Sequence, residues 1–370
     1  MLENQAREVL VALERGAGPL QRQVEDQLRA AIRSGALVAG ERLPSSRVLA
    51  ADLGVSRGVV SDAYAQLAAE GWLVVAPRTG PRVANLKRDS PALRNATAQS
   101  GFAGTAAAPG DLKGDSPKYD LRPGRPDLAR FPRADWLRSL GAAVREAGDV
   151  ELDYPPTAGV RRLREAVAAY RGRVRGTLAT AEDVFIGLGS AQAFIAIAVV
   201  LEGERVAVES PGHRGIRELL QVRGLDPVPV RVDGEGIVVD ELPEDVRAVF
   251  VTPAHQFPTG VVMSAARRAQ LLAWAQQHDA VIVEDDYDAE YRYDRAPIGA
   301  LQGLRSDLVL HVGSVSKTLA PALRIGWLIA PPEWRDRLTR AREGLDHGLP
   351  ALEQHALADF IERGAYDRHI

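Results

Sequence analysis

Cysteine is absent from the 370 residues, which excludes disulfides and thiolate metal sites and fits a reducing compartment. No apolar run reaches the length of a membrane span, and Met1 to Leu20 has no signal-peptide pattern, so the expected location is the cytoplasm. Aromatic residues make up 5% of the chain, and lysine is scarcer still. Of 46 basic residues only Lys87, Lys113, Lys118 and Lys317 are lysines. The net charge of -3 is uneven, with +3 over residues 1–88 and -6 over the remainder. That polarity points the first segment toward an anionic partner. The rest of the composition, 46% hydrophobic and 26% charged, is that of a globular chain of two or three domains.

The first three lysines lie in or beside a stretch rich in Ala, Gly, Ser and Pro, residues 85–118, which has no sustained period and reads as a flexible tether. Lys317 stands alone in the rest of the chain. It lies in His311-Val312-Gly313-Ser314-Val315-Ser316-Lys317-Thr318, after the short buried strand suggested by Leu308-Val309-Leu310. Arginine supplies surface charge as well as lysine does, but it cannot deprotonate to form a Schiff base. The Ser314 and Ser316 hydroxyls and the Arg324 fork suit a phosphate. Taken alone, the stretch is either a surface lysine after a strand or a lysine that holds pyridoxal phosphate. Val281-Ile282-Val283-Glu284-Asp285-Asp286-Tyr287-Asp288 favours the second. There an apolar strand runs into carboxylates that can pair with a protonated pyridine nitrogen, and a tyrosine hydroxyl can bond the ring oxygen.

The N-terminal part reads as helices. Apolar residues at Leu20, Val24, Leu28, Ala31 and Ile32 predict one helix over 20–33, ended by Ser34-Gly35. A serine-capped helix over 48–53 and another opened by Ser56 and running to Glu70 flank a tight turn at Gly54, giving a helix–turn–helix. Short strands around Pro77-Arg78-Thr79-Gly80-Pro81 would form a wing. Residues 19–84 resemble the winged helix–turn–helix of the GntR superfamily. The resemblance implies that the helix from Ser56 enters the major groove of DNA. It assigns base and phosphate contacts to Arg47, Ser56, Arg57 and Ser61, and wing contacts to Arg78, Thr79 and Gly80. Pro77 and Pro81 depart from the family's Gly-Ser-Gly wing.

Beyond Tyr119, apolar strand candidates at 184–186, 205–208, 228–232, 248–251, 280–283, 308–312 and 327–329 alternate with helices over 160–171, 191–201, 213–222 and 265–277. That alternation predicts a doubly wound α/β domain with a mostly parallel sheet. It resembles the fold type I, aspartate aminotransferase-like, pyridoxal-phosphate proteins. With the N-terminal module the whole chain is similar to the MocR/GabR-type regulators, through "RPGRPDLARFPRADW", "VTPAHQFPTGVVMSAARRAQLLAWA", "EDDYDAEY" and "SVSKTLAPALRIGW". The resemblance makes Lys317 the Schiff-base lysine, Asp285 the pyridinium partner and Tyr287 the partner of the ring oxygen. It gives the phosphate to Ser314, Ser316, Arg324 and the amides of Gly189-Ser190-Ala191-Gln192. Tyr154 would reach the phosphate of a neighbouring subunit, while His213, His255 and Gln256 would border the ring.

Phe257 stands where related enzymes carry Asn, and His213 where the regulators place a tyrosine. The chain stops at Ile370, before the part of the small domain that holds the carboxylate-gripping arginine. The sequence is therefore either a fragment or has a vestigial small domain. The implied organisation is a DNA-binding domain over 1–84, a linker over 85–118 and a pyridoxal-phosphate domain over 119–370, incomplete at its C-terminal end. The function expected is a DNA-binding regulator, a head-to-tail homodimer that responds to pyridoxal phosphate or an amine or amino-acid effector and controls vitamin B6 or amino-acid genes. A working aminotransferase with an appended DNA-binding domain is the alternative, and a DNA-binding protein whose second domain only dimerises is a third.

Overall fold

The computed structural model describes residues 11, 13–16, 18–76, 80–84, 124–288, 290–291, 298–346 and 348–370. The tether over 85–118 and the wing residues Arg78 and Thr79 lie outside the described residues.

The N-terminal module is built from α1 (Leu20–Arg33), α2 (Ser46–Asp52), α3 (Arg57–Ala69) and the antiparallel pair β1 (Leu73–Ala76) and β2 (Gly80–Val83). Val24 and Leu28 of α1, Leu49 of α2, and Val60, Ala63, Tyr64 and Leu67 of α3 form its buried core. Tyr64 spends its hydroxyl on the Pro44 carbonyl at 2.9 Å, which fixes α3 against the entry to α2. Ser45 caps α2 through Val48 N, so that helix begins two residues earlier than its apolar pattern suggests. Pro81 sits inside β2, opposite Val75, rather than in the loop between the strands.

In the larger part, the helices are α4 (Arg133–Glu146), α5 (Asp149–Leu152), α6 (Arg161–Arg175), α7 (Ser190–Val200), α8 (Arg214–Val222), α9 (Ala265–Gln277), α10 (Leu301–Leu304), α11 (Arg335–Glu343), α12 (Ala351–Glu362) and α13 (Ala365–His369). The strands are β3 (Val184–Gly187), β4 (Arg205–Ser210), β5 (Asp226–Asp233), β6 (Gly236–Ile237), β7 (Ala248–Val251), β8 (Val281–Asp286), β9 (Val309–Ser314) and β10 (Gly326–Ile329). Among the described residues they form one eight-stranded sheet in the order β3-β10-β9-β8-β7-β4-β5-β6. β4, β5, β7, β8 and β9 run parallel, while β10 is antiparallel to both its neighbours and β6 to β5.

Helices cover both faces, and strand residues alternate between them. On β10, Trp327 and Ile329 join the core beneath α4, α6 and α12, whereas Leu328 joins the core beneath α7 and α11. On β8, Val281 and Val283 point to the second face and Ile282 to the first-side helices around α9. The alternation continues past the apolar residues, because β8 runs through Asp286 and β9 through Ser314. The carboxylates placed after a strand over 280–283 are thus largely within the strand.

Candidate cofactor site and DNA-binding surface

The carboxyl ends of β4, β7, β8 and β9 gather the residues that sequence reasoning singled out, as open α/β sheets do. Asp285 ends the Val281–Val283 row. Its Oδ1 is buried and has no hydrogen-bond partner among the described residues. Burial, followed by the charges of Asp286, Glu209 and Asp288, pushes its pKa up to about 7. Lys317, half-buried beyond β9, donates to the Gly124 carbonyl at 2.7 Å. Burial holds its amine below the ordinary lysine range, against the opposing pull of Asp285 and Asp288. A buried carboxylate without a partner is costly. An amine and an unsatisfied acid therefore face the same space.

Aromatic rings wall that space. The Tyr287 hydroxyl donates to the His255 carbonyl at 2.9 Å, and the two rings stack with centroids 6.0 Å apart. His255 Nδ1 meets Asp288 Oδ2 at 2.7 Å. Phe257 packs edge-on to Tyr287 at 6.4 Å and lies 5.5 Å from the His213 ring. His213 occupies the N-cap of α8, where its Nδ1 accepts from Ile216 N at 3.3 Å. That bond places the proton of a neutral His213 on Nε2.

A separate pole is built for an anion. Gly189 caps α7 at φ +73°, and a Cβ there would press on the Arg324 guanidinium. Arg324, itself left-handed at φ +51°, donates to the Leu188 carbonyl at 2.7 Å and so hangs over the α7 N-terminus. The first-turn amides of α7 at Ser190 and Ala191 and the guanidinium together favour a phosphate. Ser314 Oγ accepts from Ser316 N at 3.4 Å beside them. The Gln192 side chain is committed elsewhere: it accepts from Leu188 N at 2.6 Å and donates to Asp346 at 2.6 Å. Tyr154 is 84% exposed.

Gln256 does not border the ring space. It is 1% exposed, and its amide donates to Glu209, the Pro211 carbonyl and the Phe257 carbonyl while its oxygen accepts from Thr259. It ties the loop carrying His213 to the loop carrying His255 and Phe257. Glu209, missed by sequence reasoning, completes the tie by accepting from Thr252 Oγ1 at 2.6 Å, and burial pushes it up to about 7. The available signal was a carboxylate ending an apolar strand. Also missed were Arg171 and Arg175. Burial works against the Asp286 anion, yet Arg175 and Arg171 hold it well below the carboxylate range. These arginines continue the row Leu163, Val167, Arg171, Arg175, whose spacing of four was a legible sign that they face inward.

The residues fit pyridoxal phosphate on three counts: an orphaned carboxylate oxygen for a protonated ring nitrogen, an amine with a lowered pKa, and a guanidinium poised over a helix N-terminus. On the N-terminal module, Arg47, Ser56 and Arg57 are exposed and Ser61 is half-buried, all on α2, α3 or the turn between them. Arg57 Nε reaches Ser46 Oγ at 3.4 Å. Ser56 occupies the N-cap of α3, where the sequence placed it, but makes no side-chain cap bond. Its hydroxyl and the α3 amides remain open to a phosphate. Gly80, the first residue of β2, pairs with Ala76.

Comparison with known proteins agrees with this division. Residues 20–83 match the family "Bacterial regulatory proteins, gntR family", and residues 130–364 match "Aminotransferase class I and II". The probable rhizopine catabolism regulatory protein MocR of Rhizobium meliloti is 37% identical over 373 residues, spanning 98% of this chain and 76% of that protein. The HTH-type pyridoxine biosynthesis transcriptional regulator PdxR of Corynebacterium glutamicum is 35% identical over 347 residues, 94% of this chain and 74% of that one. Among solved structures, a kynurenine aminotransferase of Pyrococcus horikoshii superposes with a TM-score of 0.63 at 28% identity, covering 67% of this chain and 65% of that chain. The chain thus spans about three quarters of the length of these regulators and just under two thirds of that enzyme.

Proposed function

The chain belongs to the MocR-type regulators, in which a gntR-family DNA-binding module precedes an aminotransferase class I and II domain, and from that premise we propose that it is a transcriptional regulator whose second domain holds pyridoxal phosphate as a sensor. The observation that carries the reading is the unpartnered Asp285 Oδ1 facing the space that the Lys317 amine enters. When bound, the cofactor supplies an electrophilic carbon to which amines add and an electron-accepting ring.

The chain's own residues do the rest. Lys317, with its amine eased toward the neutral form by burial, is the nucleophile that attaches the group and must leave the Gly124 carbonyl to do so. Asp285 holds a proton at the ring nitrogen, and Tyr287 orients the ring oxygen. Arg324, Ser314, Ser316 and the amides at Ser190 and Ala191 hold the phosphate; Tyr154 from a second copy adds to it in a head-to-tail homodimer. His213, Phe257 and His255 wall the ring and exclude water. An amine or amino-acid ligand that competes for the cofactor's carbon would free Lys317 and change the charge in the site. The regulated genes, by likeness to a pyridoxine biosynthesis regulator, concern vitamin B6 or amino-acid metabolism.

DNA binding follows from α3, with Arg47, Ser56, Arg57 and Ser61 toward the major groove and the hairpin at Gly80 toward the minor groove. Two modules in a dimer match two half-sites. The test measures affinity for DNA selected by the wild-type protein from a random pool, with and without pyridoxal phosphate, for wild type and Lys317→Ala. A cofactor-dependent affinity that the variant lacks supports the reading. Equal affinities in all four conditions overturn it, and conversion of an amino acid to its keto acid at enzymic rates would favour the aminotransferase alternative.

A further inference from the structure

The acidic run that ends β8 is divided between the two faces of the sheet. Asp285 lies on the face of Val281 and Val283, toward the cofactor space, and Glu284 and Asp286 lie on the face of Ile282. Each of those two rear carboxylates anchors a helix. Glu284 accepts the backbone amides of Leu301 at 2.9 Å and Gln302 at 3.2 Å, and so seats the start of α10. It also holds His311 Nδ1 at 2.9 Å. Asp286 receives Arg171 and Arg175, one turn apart at the end of α6, with Arg175 Nε at 2.9 Å. A β-strand that meets the cofactor on one side thus grips two helix ends on the other.

Both helix ends carry the DNA-binding module. The last turn of any α-helix leaves carbonyls without intrahelical partners and a partial negative charge. At the end of α6, Arg171 O and Gly172 O accept from Gly176 N, and Arg175 O accepts from Ala300 N at 2.8 Å. Two more carbonyls there are met by α1: Arg22 Nη2 reaches Arg173 O at 3.0 Å, and Arg33 Nη2 reaches the O of the C-cap residue Gly176 at 2.6 Å. Arg33 also lies over the Trp72 ring at 5.2 Å, which ties it to the module's core. Leu304 of α10 packs on that same core, and a Cβ on Gly303 would collide with the Gly176 carbonyl, so the ends of α6 and α10 are in backbone contact. A cavity of about 300 Å³ remains between α1, Glu70, Trp72 and the end of α6. The junction is therefore polar and incompletely filled, the character of a domain contact that can part.

We infer that the adjoining ends of α6 and α10 are the docking surface for α1 of the DNA-binding module, with Arg22 and Arg33 as its contacts, and that occupancy at Asp285 changes this docking through Asp286 and Glu284. The inference rests on the sensor function proposed above and names its route. A cation brought to Asp285 alters the field on the neighbouring Asp286, which holds the two α6 arginines. The docked and released modules are the two arrangements whose balance the ligand shifts by its differential interaction.

The test uses the full chain with an Arg22→Ala, Arg33→Ala double substitution, pyridoxal phosphate as the added ligand, and DNA selected by the wild-type protein. Neither arginine belongs to the cofactor site or to the proposed DNA contacts. The expected wild-type ratio of DNA affinities with and without cofactor is about fivefold or more, and in the variant it falls to near one while the cofactor's absorption and DNA binding persist. A variant that keeps the wild-type ratio overturns the docking inference and leaves the proposed function intact. A wild type with bound cofactor and no ratio at all overturns both. Independently of any variant, hydrogen exchange of the α1 amides in the wild type should change when pyridoxal phosphate is added; identical exchange would also overturn the inference.

Discussion

Replacing Asp285 by Asn should make the cofactor-free protein more stable at alkaline pH and, at the same time, a poorer binder of pyridoxal phosphate. The Asp285 carboxyl has been moved from an ordinary 3.8 to about 7 by burial and by neighbouring carboxylates. At 1.36 kcal/mol per pKa unit that displacement is about 4 kcal/mol against the charged form. Solvent at the partly open site reduces the figure to about 2 kcal/mol. Because the folded pKa lies above the unfolded one, the folded state binds the proton more tightly. Stability from this group is therefore fully present below about pH 4, is lost as pH rises to about 7, and stays low above that. Asn does not titrate. Urea unfolding of cofactor-free wild type and Asp285→Asn should give similar free energies at pH 4.5 and an advantage to Asn of about 2 kcal/mol at pH 8. Glu209 shifts in the same direction but is present in both proteins and largely cancels. Pyridoxal phosphate at a hundredfold excess over the wild-type dissociation constant should reverse the order at pH 8, since wild type gains about 2.7 kcal/mol and a variant with about hundredfold weaker affinity gains only about 0.4 kcal/mol. An advantage equal at both pH values, or a loss at pH 8, would refute the view that this carboxylate is buried for want of a cationic partner.

Three further outcomes follow from named contacts. Arg324→Ala should weaken pyridoxal phosphate binding by about tenfold to a hundredfold, the scale of a lost charged hydrogen bond, in an absorbance titration. Arg57→Ala should lower DNA affinity and, if it contacts a phosphate, reduce the slope of log affinity against log salt by about one, measured by fluorescence anisotropy across a salt series. Gln256→Ala should leave the fold standing but loosen the His213 and Phe257 loops, seen as faster hydrogen exchange near residues 211–216 and 255–260 together with weaker cofactor binding; unchanged exchange would remove Gln256 from its positioning role.

Much of the architecture was legible because its signals are local. The 20–33 helix, the helix over 265–277 and the strand at 248–251 have the same bounds in sequence and structure, since each is an amphipathic or wholly apolar run closed by turn residues. What escaped depended on partners far away in the chain. β8 and β9 extend into Asp286 and Ser314, where no apolar pattern survives; on β8, Glu284 and Asp286 are met by α10 and α6, partners distant in the chain. The reversed direction of β10 carries no sequence mark of its own; it is set by pairing with β3 and β9 at once. The same holds in the site. Lys317, Asp285 and Tyr287 stand out through residue type and place in a motif. Gln256 was read as facing the ring although its side chain points into a buried knot with Glu209, because direction at a loop is decided by hydrogen bonds that the sequence does not display.

The scarcity of lysine permits the most direct test of the central claim, that pyridoxal phosphate is held by the Lys317 amine. The protein loaded with pyridoxal phosphate is reduced with borohydride, digested and mapped by mass spectrometry. Only Lys87, Lys113, Lys118, Lys317 and the N-terminal amine can carry the added pyridoxyl-phosphate mass. The account predicts stoichiometric addition on the peptide containing Lys317 and none there in Lys317→Ala. Addition spread over the other three lysines, or no addition under conditions where the protein is folded, would contradict it.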